Sequence, residues 1–218
     1  MPEVLVFSGP ALPLLDIANE MKPGDWNLHV CTGESPDEEV AEAAEIADFI
    51  LVFGHGVSDK TLRLANKTKL VQLCSAGFDG VNLGIAGEMG IPVANNGGAN
   101  AIPVAEFAIT LALSTIRHLT VSNDDTRAGD WMQPEVDGSD SHELFGATVG
   151  IVGAGRIGSN VAGMLRGFET TTLYTDKMRS VKAEGYGATR VELDELLERS
   201  DIVTLHTPLD KSTRALIS

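Results

Sequence analysis

Thr148-Val149-Gly150-Ile151-Val152-Gly153-Ala154-Gly155-Arg156-Ile157-Gly158 is the stretch on which the reading of this chain turns. Residues 147–152 have the apolar, β-branched character of a buried strand, and residues 156–166 the pattern of a helix. The Gly-x-Gly-x-x-Gly between them is weak evidence as a bare pattern, because glycine is common in loops. Between a strand and a helix, each glycine acquires a task. Gly153 permits the tight turn, Gly155 lets a pyrophosphate approach the backbone, and Gly158 lets helix and strand pack closely. Backbone N–H groups at the helix N-terminus then hold the phosphates.

Asp176 stands 18 residues beyond Gly158, at the end of the next strand-like run, residues 171–174. A carboxylate there accepts from both ribose hydroxyls of a dinucleotide and repels a 2′-phosphate, which selects NAD over NADP. Lys177 and Arg179 are close enough in sequence to weaken that selection. Further strands are expected at residues 188–191 and 202–206, and a helix at 193–199. Together these make the first half of a doubly wound Rossmann sheet, an NAD-binding domain that is incomplete within this sequence.

Upstream, short apolar runs at residues 4–7, 28–31, 49–53, 70–73 and 91–94 alternate with helix-like segments. Runs of that length, rich in Val, Ile, Leu and Phe, predict a buried parallel sheet of flavodoxin-like type. Ser35 is the expected N-cap of one helix and Ser58-Asp59-Lys60 opens the next. Asn95-Asn96-Gly97-Gly98-Ala99-Asn100 marks a boundary, dividing the chain into domains 1–100 and 101–218. Residues 101–119 form a helix apolar on nearly every side, which predicts burial, with Asn100 available as its cap and Pro103 in its first turn. Residues 122–143, polar and broken by Gly129, Pro134 and Gly138, read as an arm or long connection. The fold class is α/β.

Thirty-one acidic against 16 basic residues give a net charge of −15, which repels nucleic acid and anionic membranes. Two cysteines, Cys31 and Cys74, cannot build a disulfide framework, and both lie in strand-like surroundings, which suits a reducing cytoplasm. The N-terminus lacks the pattern of a signal peptide, and the longest apolar stretch, residues 101–115, is too short to span a bilayer comfortably. No set of residues suggests a metal site.

Several motifs in order resemble the D-isomer-specific 2-hydroxyacid dehydrogenases. They are the turn Leu73-Cys74-Ser75-Ala76-Gly77-Phe78-Asp79-Gly80-Val81, the helix start Ile102-Pro103-Val104-Ala105-Glu106-Phe107, and Arg127-Ala128-Gly129-Asp130-Trp131. The Gly-rich turn and the His206-Thr207-Pro208-Leu209 loop complete the set. The resemblance implies a substrate domain ahead of an NAD-binding domain, with a 2-hydroxy or 2-keto acid bound between them. It implies that the N–H groups of Ala76 and Gly77 bind the acid's carboxylate. The loop Gly54-His55-Gly56-Val57 would face the same cleft. Val104 would lie near the nicotinamide, Arg156 and Ile157 at the pyrophosphate, and His206, Thr207 and Pro208 along the cofactor. It further implies a homodimer.

The family reduces a 2-keto acid with an Arg, a Glu and a His, all downstream of the His-Thr-Pro-Leu loop. Here Ser218 follows Pro208 by ten residues, so no catalytic residue is assigned, and the expectation is a truncated, inactive member. Of the five histidines, His206 is read as lining the cofactor or as structural. The alternative is an NAD(H)-sensing, corepressor-like binding protein without dehydrogenase activity.

Overall fold

The computed structural model describes residues 1–8, 14–54, 56–130 and 141–217, which divide into two compact units, Met1–Ala99 and Asn100–Ser218. In the first, five short apolar runs become parallel strands: β1 (Glu3–Phe7), β2 (Asn27–Cys31), β3 (Phe49–Val52), β4 (Leu70–Leu73) and β5 (Val93–Ala94). Their order, β2-β1-β3-β4-β5, is the flavodoxin-like one. Helices α1 (Leu14–Met21), α2 (Asp37–Ile46), α3 (Asp59–Leu64) and α4 (Leu83–Glu88) connect them. Val4, Leu5 and Val6 are all wholly buried, so β1 is covered on both faces. That is why its sequence is continuously apolar rather than alternating.

Two capping expectations part company here. Ser58 accepts from the Thr61 N–H and caps α3. Ser35 does not cap α2: its hydroxyl turns back to accept from the Thr32 N–H, and Pro36 takes the cap position without a side-chain bond. Three carboxylates in the first turn, Asp37, Glu38 and Glu39, remain to favour the positive end of that helix.

The second unit opens with α5 (Ala101–Ile116) and α6 (Leu119–Ala128) and continues as β6 (Thr148–Val152), α7 (Arg156–Leu165), a 3-10 turn (Arg166–Phe168), β7 (Thr171–Thr175), α8 (Val181–Gly185), β8 (Thr189–Arg190), α9 (Leu193–Arg199) and β9 (Ile202–Leu205). The sheet is parallel, in the order β8-β7-β6-β9. Numbered from its own first strand this is 3-2-1-4, the opening of the doubly wound 3-2-1-4-5-6 arrangement. Ala105 of α5 joins Ile151, Val161, Leu165 and Tyr174 in the core. Among the described residues β9 pairs with β6 alone, and Val203 and Leu205 remain exposed along it.

The apolar helix does not run unbroken to residue 119, nor is it buried on every side. His118 takes a left-handed conformation (φ 48°), and α6 leaves at 63° to α5. Only Ala101 and Ala105 of α5 are buried, while Ile102, Phe107 and Leu111 are exposed. The start of the polar arm is helical, contrary to its reading as a connection. Arg127 donates to Asn123 Oδ1 and Thr126 Oγ1 to the Ser122 carbonyl, each four residues back, and Gly129 (φ 85°) ends the helix in the left-handed conformation glycine favours. Residues 131–140 of the arm lie outside the described residues. No single helix among the described residues is long and apolar enough to cross a membrane.

Candidate functional site

Each glycine of the turn after β6 meets a different environment. Gly153 has φ +94°, and a Cβ there would come within 2.9 Å of the His206 carbonyl carbon and of Thr207 Cγ2. The turn and the segment leaving β9 are therefore in contact, bringing Gly153, His206 and Thr207 together. A Cβ on Gly158 would fall inside the contact distance of the Gly153 carbonyl oxygen and 2.9 Å from Ile151 Cγ2, so α7 packs backbone-close on β6. A Cβ on Gly155 would meet nothing within 4 Å. That open space lies directly before α7, whose first turn receives no side-chain cap. The N–H groups at Gly155, Arg156 and Ile157 are thus available to an anion.

Asp176 follows β7 and reaches back to this turn. Its Oδ2 accepts from the Ala154 N–H at 2.8 Å and its Oδ1 from the Met178 N–H at 3.0 Å. A carboxylate has about four acceptor positions, so capacity remains on both oxygens for a ribose diol. Ser180 holds the other side of the same residue, its Oγ donating to the Ala154 carbonyl at 2.7 Å while accepting from the Ala183 N–H as the cap of α8. Sequence reasoning missed Ser180; the available signal was a serine placed as an N-cap immediately before residues 181–185. The Ser180 N–H donates to Tyr174 Oη, which itself donates to Glu184 at 2.8 Å. Burial pushes the Tyr174 phenol up, and the Arg179 hydrogen bond holds the Glu184 carboxyl below its ordinary range.

These contacts bear on the neighbouring cations. Arg179 is drawn off by Glu184, and Lys177 donates to Ser212 Oγ at 2.6 Å. Arg190 donates to the backbone carbonyl of Asp176. Arg179, Lys177 and Arg190 are thus each engaged with a group other than the Asp176 carboxylate.

His206 continues the β9 ladder through its N–H to the Val152 carbonyl, and its Nε2 pairs with Thr204 Oγ1 at 3.0 Å. Burial lowers its pKa, favouring the neutral ring. It lines a cavity of about 530 Å³ within this unit together with Val104, Phe107 and Leu111. Pro208, on the next turn, accepts from Thr213 Oγ1 through its carbonyl.

In the first unit the loops after β3 and β4 are fastened together. Val57 donates to the Gly80 carbonyl at 2.8 Å and forms a parallel bridge with Val81. Gly56 is required for this approach, since a Cβ would collide with the Gly80 carbonyl, and Gly54 turns the chain at φ +81°. His55 lies outside the described residues. The N–H groups of Ala76 and Gly77 donate to no atom among the described residues. Their loop is braced from β5: Asn95 Nδ2 donates to the Ala76 carbonyl at 2.7 Å, and Asn96 donates through its backbone to Ser75 and its side chain to Cys74. Both asparagines read as a domain boundary in the sequence. No cluster of metal-ligating groups exists among the described residues.

Comparison with known proteins follows the same lines. Residues 109–218 match the family model for the D-isomer specific 2-hydroxyacid dehydrogenase NAD-binding domain. The chain is 31% identical to a D-3-phosphoglycerate dehydrogenase of Archaeoglobus fulgidus over 198 residues, 90% of this chain and 37% of that protein. It is 30% identical to a glyoxylate reductase of Pyrococcus furiosus, over 85% of this chain and 57% of that one. A D-lactate dehydrogenase of Aquifex aeolicus, solved with NAD and lactic acid, superposes with a TM-score of 0.80 at 27% identity, covering 96% of this chain and 62% of its own. The chain thus spans between about a third and two thirds of the length of these relatives. With half its residues matched to the NAD-binding domain, this chain belongs to the D-isomer specific 2-hydroxyacid dehydrogenase family, and its cofactor is NAD.

Proposed function

We propose that this chain carries the cofactor site and part of the substrate site of an NAD-dependent oxidoreductase interconverting a D-2-hydroxy acid and its 2-keto acid. The observation that carries the reading is the turn of residues 153–158: an open cradle at Gly155, an uncapped helix N-terminus, and Asp176 with acceptor capacity to spare. Gly153, Gly155, Arg156, Ile157 and Gly158 hold the pyrophosphate, and Asp176 the adenosine ribose. Val104, His206, Thr207 and Pro208 line the remainder of the cofactor. Bound NAD supplies the hydride chemistry. Ala76 and Gly77 offer to the acid's carboxylate two N–H groups with no partner among the described residues, with Gly54 and Gly56 lining the same cavity as Gly77 and Val57 bridged to Val81.

His206 pairs with Thr204 and has no carboxylate partner among the described residues, so it is not assigned as the acid of the reaction. The reading for residues 1–218 is binding of NADH without turnover. The exposed apolar residues of α5, Phe107 and Leu111, suit a homodimer, and sedimentation of the chain tests that.

Fluorescence titration with NADH is the direct experiment. The chain should bind NADH at micromolar concentrations and NADPH far more weakly. Failure to bind NADH at millimolar concentrations overturns the cofactor reading. Oxidation of NADH by the 218-residue chain with glyoxylate, pyruvate or hydroxypyruvate overturns the assignment of binding alone.

A further inference from the structure

The relatives differ in whether the acid they are named for is phosphorylated, as in D-3-phosphoglycerate, or not, as in glyoxylate and lactate. From the distribution of charge in the first unit we infer that the substrate of this chain is an unphosphorylated acid, an inference that rests on the carboxylate site proposed above.

A cavity of about 320 Å³ opens at the carboxyl ends of β3 and β4, lined by Gly54, Gly56, Gly77, Phe78 and Asp79 among others. Its volume exceeds what a three-carbon acid needs with or without a phosphate, so size does not decide between them. Charge does. Asp79 is the only ionised side chain among its described lining residues, with Oδ2 3.4 Å from where a Gly77 Cβ would stand. Asp59, two residues beyond Val57, adds a second carboxylate to the same pair of fastened loops and accepts from Asn82.

The cations lie elsewhere. Residues 1–99 contain five Lys and Arg. Lys22 precedes β2 and Lys67 and Lys69 precede β4, while Arg63 ends α3, so these four sit at the amino edge of the parallel sheet, opposite the cavity. Lys69 is paired there with Asp48, and Arg63 with Glu88. Lys60 alone stands at the carboxyl edge, where it is paired with Asp37 and lines a different cavity beside β1 and β2. Of the two helices that follow the fastened loops, α3 has its Thr61 N–H taken by Ser58, and α4 its Gly84 and Ile85 N–H groups taken by Asn82. A phosphate monoester carries nearly two negative charges above neutral pH and requires Lys, Arg or free N–H groups to be held. Here Ala76 and Gly77 offer enough for one carboxylate, and the next group met is an aspartate.

The test is titration of the isotope-labelled 218-residue chain with NADH present at about pH 8, where an ordinary histidine is neutral. Hydroxypyruvate and 3-phosphohydroxypyruvate are compared through the amide signals of Ala76 and Gly77. Hydroxypyruvate should move them with a Kd at least about tenfold lower than its phosphate ester, equivalent to ~1.4 kcal/mol. In Asp79→Lys the gap should close. Equal or tighter binding of the phosphate ester overturns the inference and leaves the carboxylate site standing. Silence from both acids overturns both. A tenfold preference that survives Asp79→Lys unchanged overturns the assignment of the selection to this carboxylate.

Discussion

Gly155→Ala and Gly158→Ala should fail in opposite ways, although both place one methyl group in the same turn. At Gly158 the methyl meets the Gly153 carbonyl oxygen and Ile151 Cγ2, so α7 must lift from β6 by roughly 1.5 Å to restore ordinary contact near 3.5–4 Å. The helix is not free to lift, because Ser159, Val161, Ala162 and Leu165 are buried beneath it. Overpacking of this kind costs about 1–3 kcal/mol, offset by up to about 1 kcal/mol from replacing glycine in a helix. The net loss, ~1–2 kcal/mol, lowers the midpoint of thermal unfolding by about 3–10 °C for a unit of this size. At Gly155 the methyl meets nothing within 4 Å and the backbone φ is −72°, so stability should be unchanged. The same methyl fills the space through which the pyrophosphate approaches, and NADH affinity should fall by about tenfold or more. Circular dichroism melts and NADH fluorescence titrations on both variants read the two quantities separately. If Gly155→Ala binds NADH like the parent, the cradle has been misidentified. If Gly158→Ala melts with the parent, the close packing of α7 on β6 is not what the glycine secures.

Asp176→Asn keeps one carbonyl oxygen where two carboxylate oxygens accepted, and should weaken NADH by about ten- to a hundredfold while narrowing its advantage over NADPH; an unchanged ratio of the two Kd values refutes the role of the charge. His206 has a depressed pKa in the folded chain, so below about pH 6.5 the unfolded chain takes up a proton that the folded one refuses. Stability contributed by this group is therefore full above about pH 6.5 and lost as the pH falls towards the folded value. Urea unfolding between about pH 5 and about pH 8 should show a shallower decline in His206→Gln, and identical slopes sink the assignment. Gly56→Ala, forced against the Gly80 carbonyl, should cost about 1–3 kcal/mol in the first unit and shift the Ala76 and Gly77 amide signals; a silent spectrum would mean the two loops are not fastened at Val57.

The two sheets were legible because burial on both faces imposes continuous apolar runs, as in Val4-Leu5-Val6, and because a strand-turn-helix approach restricts Gly153 and Gly158 to glycine. The first half of the arm was not. Its residues 122–128 are polar apart from Ala128, and their helix is held by bonds such as Arg127 to Asn123 and by Gly129, which leave no hydrophobic period to detect. The exposed side of α5 misled for a related reason: composition reports how apolar a helix is, not whether anything covers it. Ser180 escaped notice, and Asn95 and Asn96 read only as a boundary, because each acts through one or two hydrogen bonds to backbone carbonyls brought near by the fold. Ser35, a good cap by type, was claimed first by the Thr32 N–H.

Among the described residues one side of β9 is unpaired, and this bears on how this stretch of chain behaves in solution. Val203 and Leu205 stand along a strand edge with open hydrogen-bonding positions, near Phe107 and Leu111, an arrangement that invites edge-to-edge association. Thirty-one acidic residues oppose it by mutual repulsion between copies, and that repulsion reaches only about 10 Å at 0.1 M ionic strength and about 3 Å at 1 M. Colloidal stability in this chain is therefore an electrostatic property, strongest in dilute buffer and weakened by salt or by acid near the isoelectric point of 4.6.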